Sequence, residues 1–243
     1  DEDFSKEYID DVPSTPVWRG SDYLLFYGKG PVKWEYDSSS QTFVHTNNPY
    51  SLYGYYFVTD ATPTNDMTSV AQASGASTRI TTYDDYLLHE QELVSVNQSG
   101  REFFGEDFSG ARPRTISTFS SIPGITDADG KVTMRFISRI NSGSGTASLS
   151  INDSELLDIT IPSIQTVSSN VRSYTKAIPG TTTALWKGSK SEKNNVVVSY
   201  SSSGHTNVRL DYIRMQFVRT LRPYGACTFF RSLTSVGNAS RFV

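Results

Sequence analysis

The chain has 243 residues, with 22 Lys and Arg against 25 Asp and Glu and a formal net charge of −3. The two signs are interspersed and no Lys/Arg run could neutralise a phosphate backbone, which argues against nucleic acid as a partner. One cysteine excludes an intrachain disulfide, and no apolar run approaches the ~20 residues that a membrane-spanning helix needs.

Residues 1–21 are acidic and then Pro-rich, and form a lead-in segment with room for one short helical turn around Glu7. They lack the charged-then-apolar pattern of a secretory signal, so either a signal has been removed or the chain is a piece of something longer. Residues 22–77 predict a small β-meander and a linker. Asp22 to Tyr27, Val32 to Tyr36, Thr42 to His45 and Gly54 to Thr59 supply its strands, and 60–77 is polar and rich in Pro, Gly, Ser and Thr.

Residues 78–221 predict a jelly-roll-like antiparallel β-sandwich, so the fold class is all-β. Strands are expected over 78–88, 114–122, 131–140, 147–151, 157–161, 170–178, 184–186, 196–200 and 208–217. Residues 89–94 suit either a helical turn or a continued strand. The alternation is clearest from Lys131. Val132, Met134, Phe136 and Ile140 point one way with Ser138; Thr133, Arg135 and Arg139 point the other way with Ile137. Asn141 to Gly145 turns the chain, and Ala147, Leu149 and Ile151 form the inward set of the next strand. Asn152-Asp153 is a hairpin turn, and Leu157, Ile159 and Ile161 face inward after it. Three antiparallel strands of this kind need a second sheet over their greasy face, which the rest of the chain must supply. Near the end the inward set changes phase, from Val208, Leu210 and Tyr212 to Ile213, Met215 and Phe217. A bulge or a corner between Tyr212 and Ile213 is therefore expected. Residues 222–243 form an exit segment.

Taken singly, the residues define no reaction centre. Cys227 reads as a buried, inert thiol. His45, His89 and His205 lie in no active-site or zinc-ligand spacing. Asp127-x-Asp129-Gly130 has the look of a calcium loop, but Ile125 and Phe136 stand at its opening and closing ligand positions, so a plain turn is the better reading. No cofactor is called for, although carboxylates distant in sequence could still hold a structural calcium ion. Trp18, Trp34, Trp186 and the Tyr50, Tyr53, Tyr55, Tyr56 cluster read as core aromatics, with a sugar-stacking face as the sharper reading. The densest mixture of charge and rings is Ser99-Gly-Arg101-Glu102-Phe103-Phe104-Gly-Glu106-Asp107-Phe108. Arg101 can pair with Glu102, Glu106 or Asp107. The stretch is either a structural loop pinned by an ion pair or a docking surface made of Arg101, Glu102, Phe103, Phe104, Glu106 and Asp107.

That stretch resembles the SGRE-aromatic-aromatic-GE-x-F segment of the type IX secretion sortases, the PorU proteins of Bacteroidetes, which are gingipain-like cysteine peptidases. Asp22 to Pro31, Phe43 to Ser51, Gly54 to Thr59 and Leu210-Asp-Tyr-Ile213 are similar to further segments of the same proteins, in the same order. The resemblance implies an excised, non-catalytic N-terminal β region, placed extracytoplasmically at the outer membrane and cell surface. The catalytic His and Cys of the family would lie in a peptidase domain after the matched region. Implied partners are that domain in cis, secreted cargo and outer-membrane secretion components. A carbohydrate-binding module is the alternative that the fold alone suggests.

Overall fold

The computed structural model describes residues 14–59, 65–71, 74–96, 102–140, 143–164, 177–202 and 206–243. The expected strand over 170–178 falls mostly outside them. The chain divides into two units, Asp1–Glu35 with His45–Gln72 and Tyr36–Val44 with Ala73–Val243.

In the smaller unit, β1 (Val17–Arg19) and β2 (Leu24–Phe26) make a two-stranded antiparallel ribbon. Residues 65–67 lie beside β1: Val17 N–H donates to the Asn65 carbonyl at 3.1 Å, and Arg19 pairs with Asp66 at 3.0 Å. β3 (Val32–Asp37) and β4 (Thr42–Asn47) make a second ribbon, whose turn end, residues 36–44, belongs to the larger unit. Its turn is set by Asp37, whose carboxylate accepts the hydroxyls of Ser39 and Ser40 at 2.6 Å each. The expected meander is therefore two separate ribbons, and residues 54–59 are not a strand. Bulky residues favour a strand only where a neighbour completes the ladder, and this segment instead turns Tyr56 onto Phe26, 5.2 Å between ring centroids.

The larger unit carries β5 (Thr78–Ile80), β6 (Thr82–Glu90), β7 (Arg114–Thr115), β8 (Gly130–Ile140), β9 (Ser144–Ile151), β10 (Ser154–Pro162), β11 (Ile178–Trp186), β12 (Val196–Ser202), β13 (Thr206–Thr220) and β14 (Ser240–Phe242). Two four-stranded sheets face each other, ordered β11-β8-β13-β6 and β10-β9-β12-β7, with every pairing antiparallel. The chain crosses between them in the order of a jelly roll. Residues 89–94 continue the strand only as far as Glu90. Asn152 and Asp153 have φ of 50° and 66°, the left-handed pair that a tight β9–β10 hairpin requires.

Three expectations change. β8 does not share a sheet with β9 and β10; it lies in the opposite one. Val132, Met134 and Phe136 thus share one core with Ala147, Leu149 and Ile161 of the opposite sheet, all fully buried. Residues 114–122 are not one strand: β7 stops at Thr115 and a 3₁₀ turn follows over Ser117–Phe119. That turn lets Ile116, Phe119 and Ile122 all enter the core, which strict alternation forbids for 116 and 119. The phase change in β13 is a bulge, placed between Leu210 and Tyr212. Asp211 is the extra residue, so Tyr212 joins the outer face instead of the inner one.

The outer face of the β11-β8-β13-β6 sheet is also covered. At one end, Lys131 Nζ donates to the Ser40 and Gln41 carbonyls, and Phe43 packs against Tyr86. At the other, Ile137 is buried with Val96, Phe104 and Ala177. The last segment is tied back onto β6: Asp85 accepts from both Arg219 at 2.9 Å and Arg231 at 3.2 Å, and β14 runs parallel to β5.

Candidate functional site

Residues 102–108 form a strap along the edge of β13. The last residue that β6 pairs with this strand is Glu90, opposite Tyr212. From there the strap takes over: Gly105 N–H donates to the Leu210 carbonyl at 2.8 Å, Leu210 N–H to Glu106 at 3.1 Å, and Phe108 N–H to Val208 at 2.9 Å. On its other side Phe104 N–H donates to Val94 at 2.8 Å. The backbone approach explains Gly105: a Cβ there would stand 3.3 Å from the Leu210 carbonyl oxygen and 3.2 Å from Gln91.

Two rings anchor the strap. Phe104 is fully buried on the outer face of the sheet, and Phe108 enters the core edge-on to Phe136 at 5.2 Å. Glu106 meets His89 at 2.7 Å, with side-chain exposures of 14% and 10%, and the other imidazole nitrogen of His89 lies 2.8 Å from Thr118 Oγ1. Burial works to raise the Glu106 carboxyl, but the His89 hydrogen bond and the other donors outweigh it and hold it below its ordinary range. Asp107 accepts Ser109 N–H at 2.8 Å, and its backbone carbonyl accepts the Arg114 guanidinium at 2.9 Å. Arg135 pairs with Asp211, and with Glu102 at 3.7 Å. Of the six predicted surface residues, Glu102, Phe103 and Asp107 are exposed, Glu106 is half-buried in its hydrogen bond to His89, and Phe104 is interior. Arg101 lies outside the described residues. The strap is thus a hydrogen-bonded edge that shows two acids and one ring to solvent.

Cys227 is exposed, against the expectation of a buried thiol. It sits after the last core strand in a segment without regular structure, where no sheet face is available to cover it. His45 stacks on Trp34 at 5.4 Å, His89 is engaged as above, and His205 lies outside the described residues. Among the described residues no three His, Cys, Asp or Glu side chains gather as a metal site.

The predicted core aromatics divide. Trp186 is buried in the sandwich, whereas Trp18, Tyr50, Tyr53, Tyr55 and Tyr56 are exposed. With them the smaller unit exposes a surface that sequence reasoning missed: Tyr23, Leu24, Leu25, Phe26 and Tyr27, each between 46% and 64% accessible, and Phe57 at 85%. The signal was the unbroken apolar run 23–27, which lacks alternation; a two-stranded ribbon cannot cover both of its faces.

The chain is similar to dimeric latent PorU from Porphyromonas gingivalis, whose crystal structure it matches with a TM-score of 0.75 at 30% identity. The match covers 97% of this chain and 22% of that one, so the chain spans about a fifth of that protein's length. Weaker likenesses are to the CBM35 of Cellvibrio japonicus Abf62, at TM-score 0.32, 17% identity and 59% of this chain against all of that one, and to the CBM22-1–GH10 modules of Clostridium thermocellum xylanase 10B, at TM-score 0.25, 15% identity, 60% of this chain and 28% of that one. No family model and no curated protein matches the chain.

Proposed function

We propose that the chain is the non-catalytic N-terminal module of a type IX secretion sortase, acting outside the cytoplasm at the cell surface. The observation that carries this reading is the likeness to PorU over 97% of the chain, at 30% identity, within 22% of the larger protein. In this reading a cysteine peptidase domain elsewhere in the same polypeptide performs the cleavage. The module positions it, or contacts cargo and outer-membrane secretion components.

Its work is done by surfaces. The smaller unit leaves an apolar stretch around Leu24, Leu25, Phe26 and Phe57 open to solvent, and exposed apolar surface of this kind suits burial in an interface. The strap adds Glu102, Phe103 and Asp107. The test is cargo maturation by the full-length protein carrying Glu102→Ala, Phe103→Ala and Asp107→Ala together, and separately Leu25→Ser with Phe57→Ser. Loss of maturation at normal protein levels supports the reading, and unchanged maturation in both sets overturns the surface role. A glycan-array signal that disappears with Tyr53→Ala and Tyr55→Ala would favour a carbohydrate-binding module, a reading that the exposure of these two rings keeps open.

A further inference from the structure

Residues 222–243 combine a tethered backbone with uncovered apolar side chains. No residue of the segment is buried, so it adds nothing to the core. Polar bonds hold it instead. Leu233 N–H donates to Asp84 Oδ2 at 2.7 Å, and Asp84 N–H to the Arg231 carbonyl at 2.9 Å. The Arg231 guanidinium reaches Asp85 at 3.2 Å and lies 4.2 Å from the centroid of the Tyr86 ring. β14 runs beside β5, and Val243 N–H donates to the Ile80 carbonyl at 2.9 Å. These partners all lie on β5 or β6, so the segment is laid along that side of the sandwich.

Its outward side is apolar and cationic. Phe229, Phe230, Val236, Phe242 and Val243 are exposed, Phe229 at 67% and Val236 at 73%. Phe230 and Phe242 stand 5.1 Å apart between ring centroids. The charged residues of 222–243 are Arg222, Arg231 and Arg241, with no Asp or Glu among them. Arg231 is engaged by Asp85 and Arg222 by Glu192 at 3.6 Å, while Arg241 is exposed.

Resting on the sortase reading, we propose that this face is covered, in the whole protein, by the part of the same polypeptide that carries the peptidase. It is a surface apart from the strap and the smaller unit. Size and charge choose the occupant. The face offers five large apolar side chains, whereas a stable complex of separate proteins buries about 800 Å² and about 20–30 residues on each side. A domain on the same polypeptide needs less, because the tether already holds it at an effective concentration of about a millimolar. The likeness to PorU falls within 22% of that chain, which leaves most of such a polypeptide to supply the cover. A second copy fits poorly. Two-fold pairing sets a patch against itself, and residues 222–243 hold arginines but no acid of their own to pair them. The covering surface is expected to be apolar, with an Asp or Glu placed for Arg241.

Cys227 lies in the same segment and is exposed, so it reports on the cover without an assay of activity. The rate at which a disulfide reagent labels it, read by mass spectrometry of its own peptide, is compared in the 243-residue chain and in the full-length protein at several concentrations. Labelling of the full-length protein is expected to be slower by about tenfold or more at every concentration. Phe229→Asp with Val236→Asp changes two well-exposed positions, so the short chain should unfold as before. In the full-length protein the pair is expected to bring labelling back to within about twofold of the short chain's rate. Arg241→Glu, which keeps every apolar side chain, is expected to speed labelling of the full-length protein alone. Equal labelling of the two parent proteins overturns the proposal, as does protection that neither set of substitutions relieves. Protection of the short chain that fades on dilution also overturns it, and assigns the face to a second copy. A full-length protein without a peptidase part removes the sortase reading as well, whereas equal labelling in a protein that has one removes this proposal alone.

Discussion

Asp211, the extra residue of the β13 bulge, is 5% exposed and pairs with Arg135 of β8. The bulge that lets β13 change its inner face thus places a carboxylate where a straight strand would put a ladder residue. Burial pushes this carboxyl up to about 6 from an ordinary 3.8, even though Arg135 pulls it down.

A pH dependence follows from that shift. A carboxyl raised in the folded state contributes stability fully present below pH 3.8 and lost as pH rises through about 6. A displacement of this size corresponds to something on the order of 3 kcal/mol. The stability of the native chain minus that of Asp211→Asn should therefore be largest near pH 4 and shrink towards pH 7. Urea unfolding at both pH values measures it, and a difference that stays level or grows with pH refutes the assignment.

Glu106 has the opposite sign. Its carboxyl is held below the ordinary 4.5, so its contribution is present above that pH and is lost as pH falls through the folded value. Glu106→Gln should weaken the strap locally, by about 1 kcal/mol, the step from a charge-assisted to a neutral hydrogen bond. Hydrogen exchange at the Gly105 and Phe108 amides should then speed up several-fold while β8 amides keep their protection. Equal acceleration in β8 would mean that the pair supports the whole sandwich.

Adjacent rings in the strap should behave differently. Phe104→Ala opens a hole on a covered sheet face and should cost about 3–5 kcal/mol. Phe103, 37% exposed, should cost less than about 1 kcal/mol as Phe103→Ala. Chemical denaturation of the two variants decides it, and similar losses would show that the strap packs otherwise than described.

Gly130→Ala should be costly for a residue that gains only a methyl group. Its Cβ would meet the Gln216 carbonyl oxygen at 2.7 Å, a backbone atom fixed in the β13 ladder. Overpacking of this kind costs about 1–3 kcal/mol, read as a fall in Tm. An unchanged Tm would show that the β8–β13 pair can slide apart there.

The exposed Cys227 thiol should react with a disulfide reagent under native conditions, to one equivalent and without loss of fold. A reaction that waits for denaturant would restore the buried reading.

Much was legible in the residues. Period-two alternation marked Val132 to Ile140, Ala147 to Ile151 and Leu157 to Ile161 as half-buried strands. The phase switch read between Tyr212 and Ile213 announced a bulge, which the structure sets between Leu210 and Tyr212, and Asn152-Asp153 announced its hairpin. These signals are local, because a strand writes its buried face into every second residue. Partnership is not local. Only the tertiary structure decided that β8 faces β9 and β10 across the core, and that the strap replaces β6 beside β13. It also decided which apolar side chains are buried: Trp186 lies in the core of the sandwich, while Leu25, equally apolar, lies on a ribbon with too few strands to enclose it, and Phe57 in a segment outside any sheet. Alternation shows that a residue can be covered, and what covers it depends on chain brought in from far along the sequence.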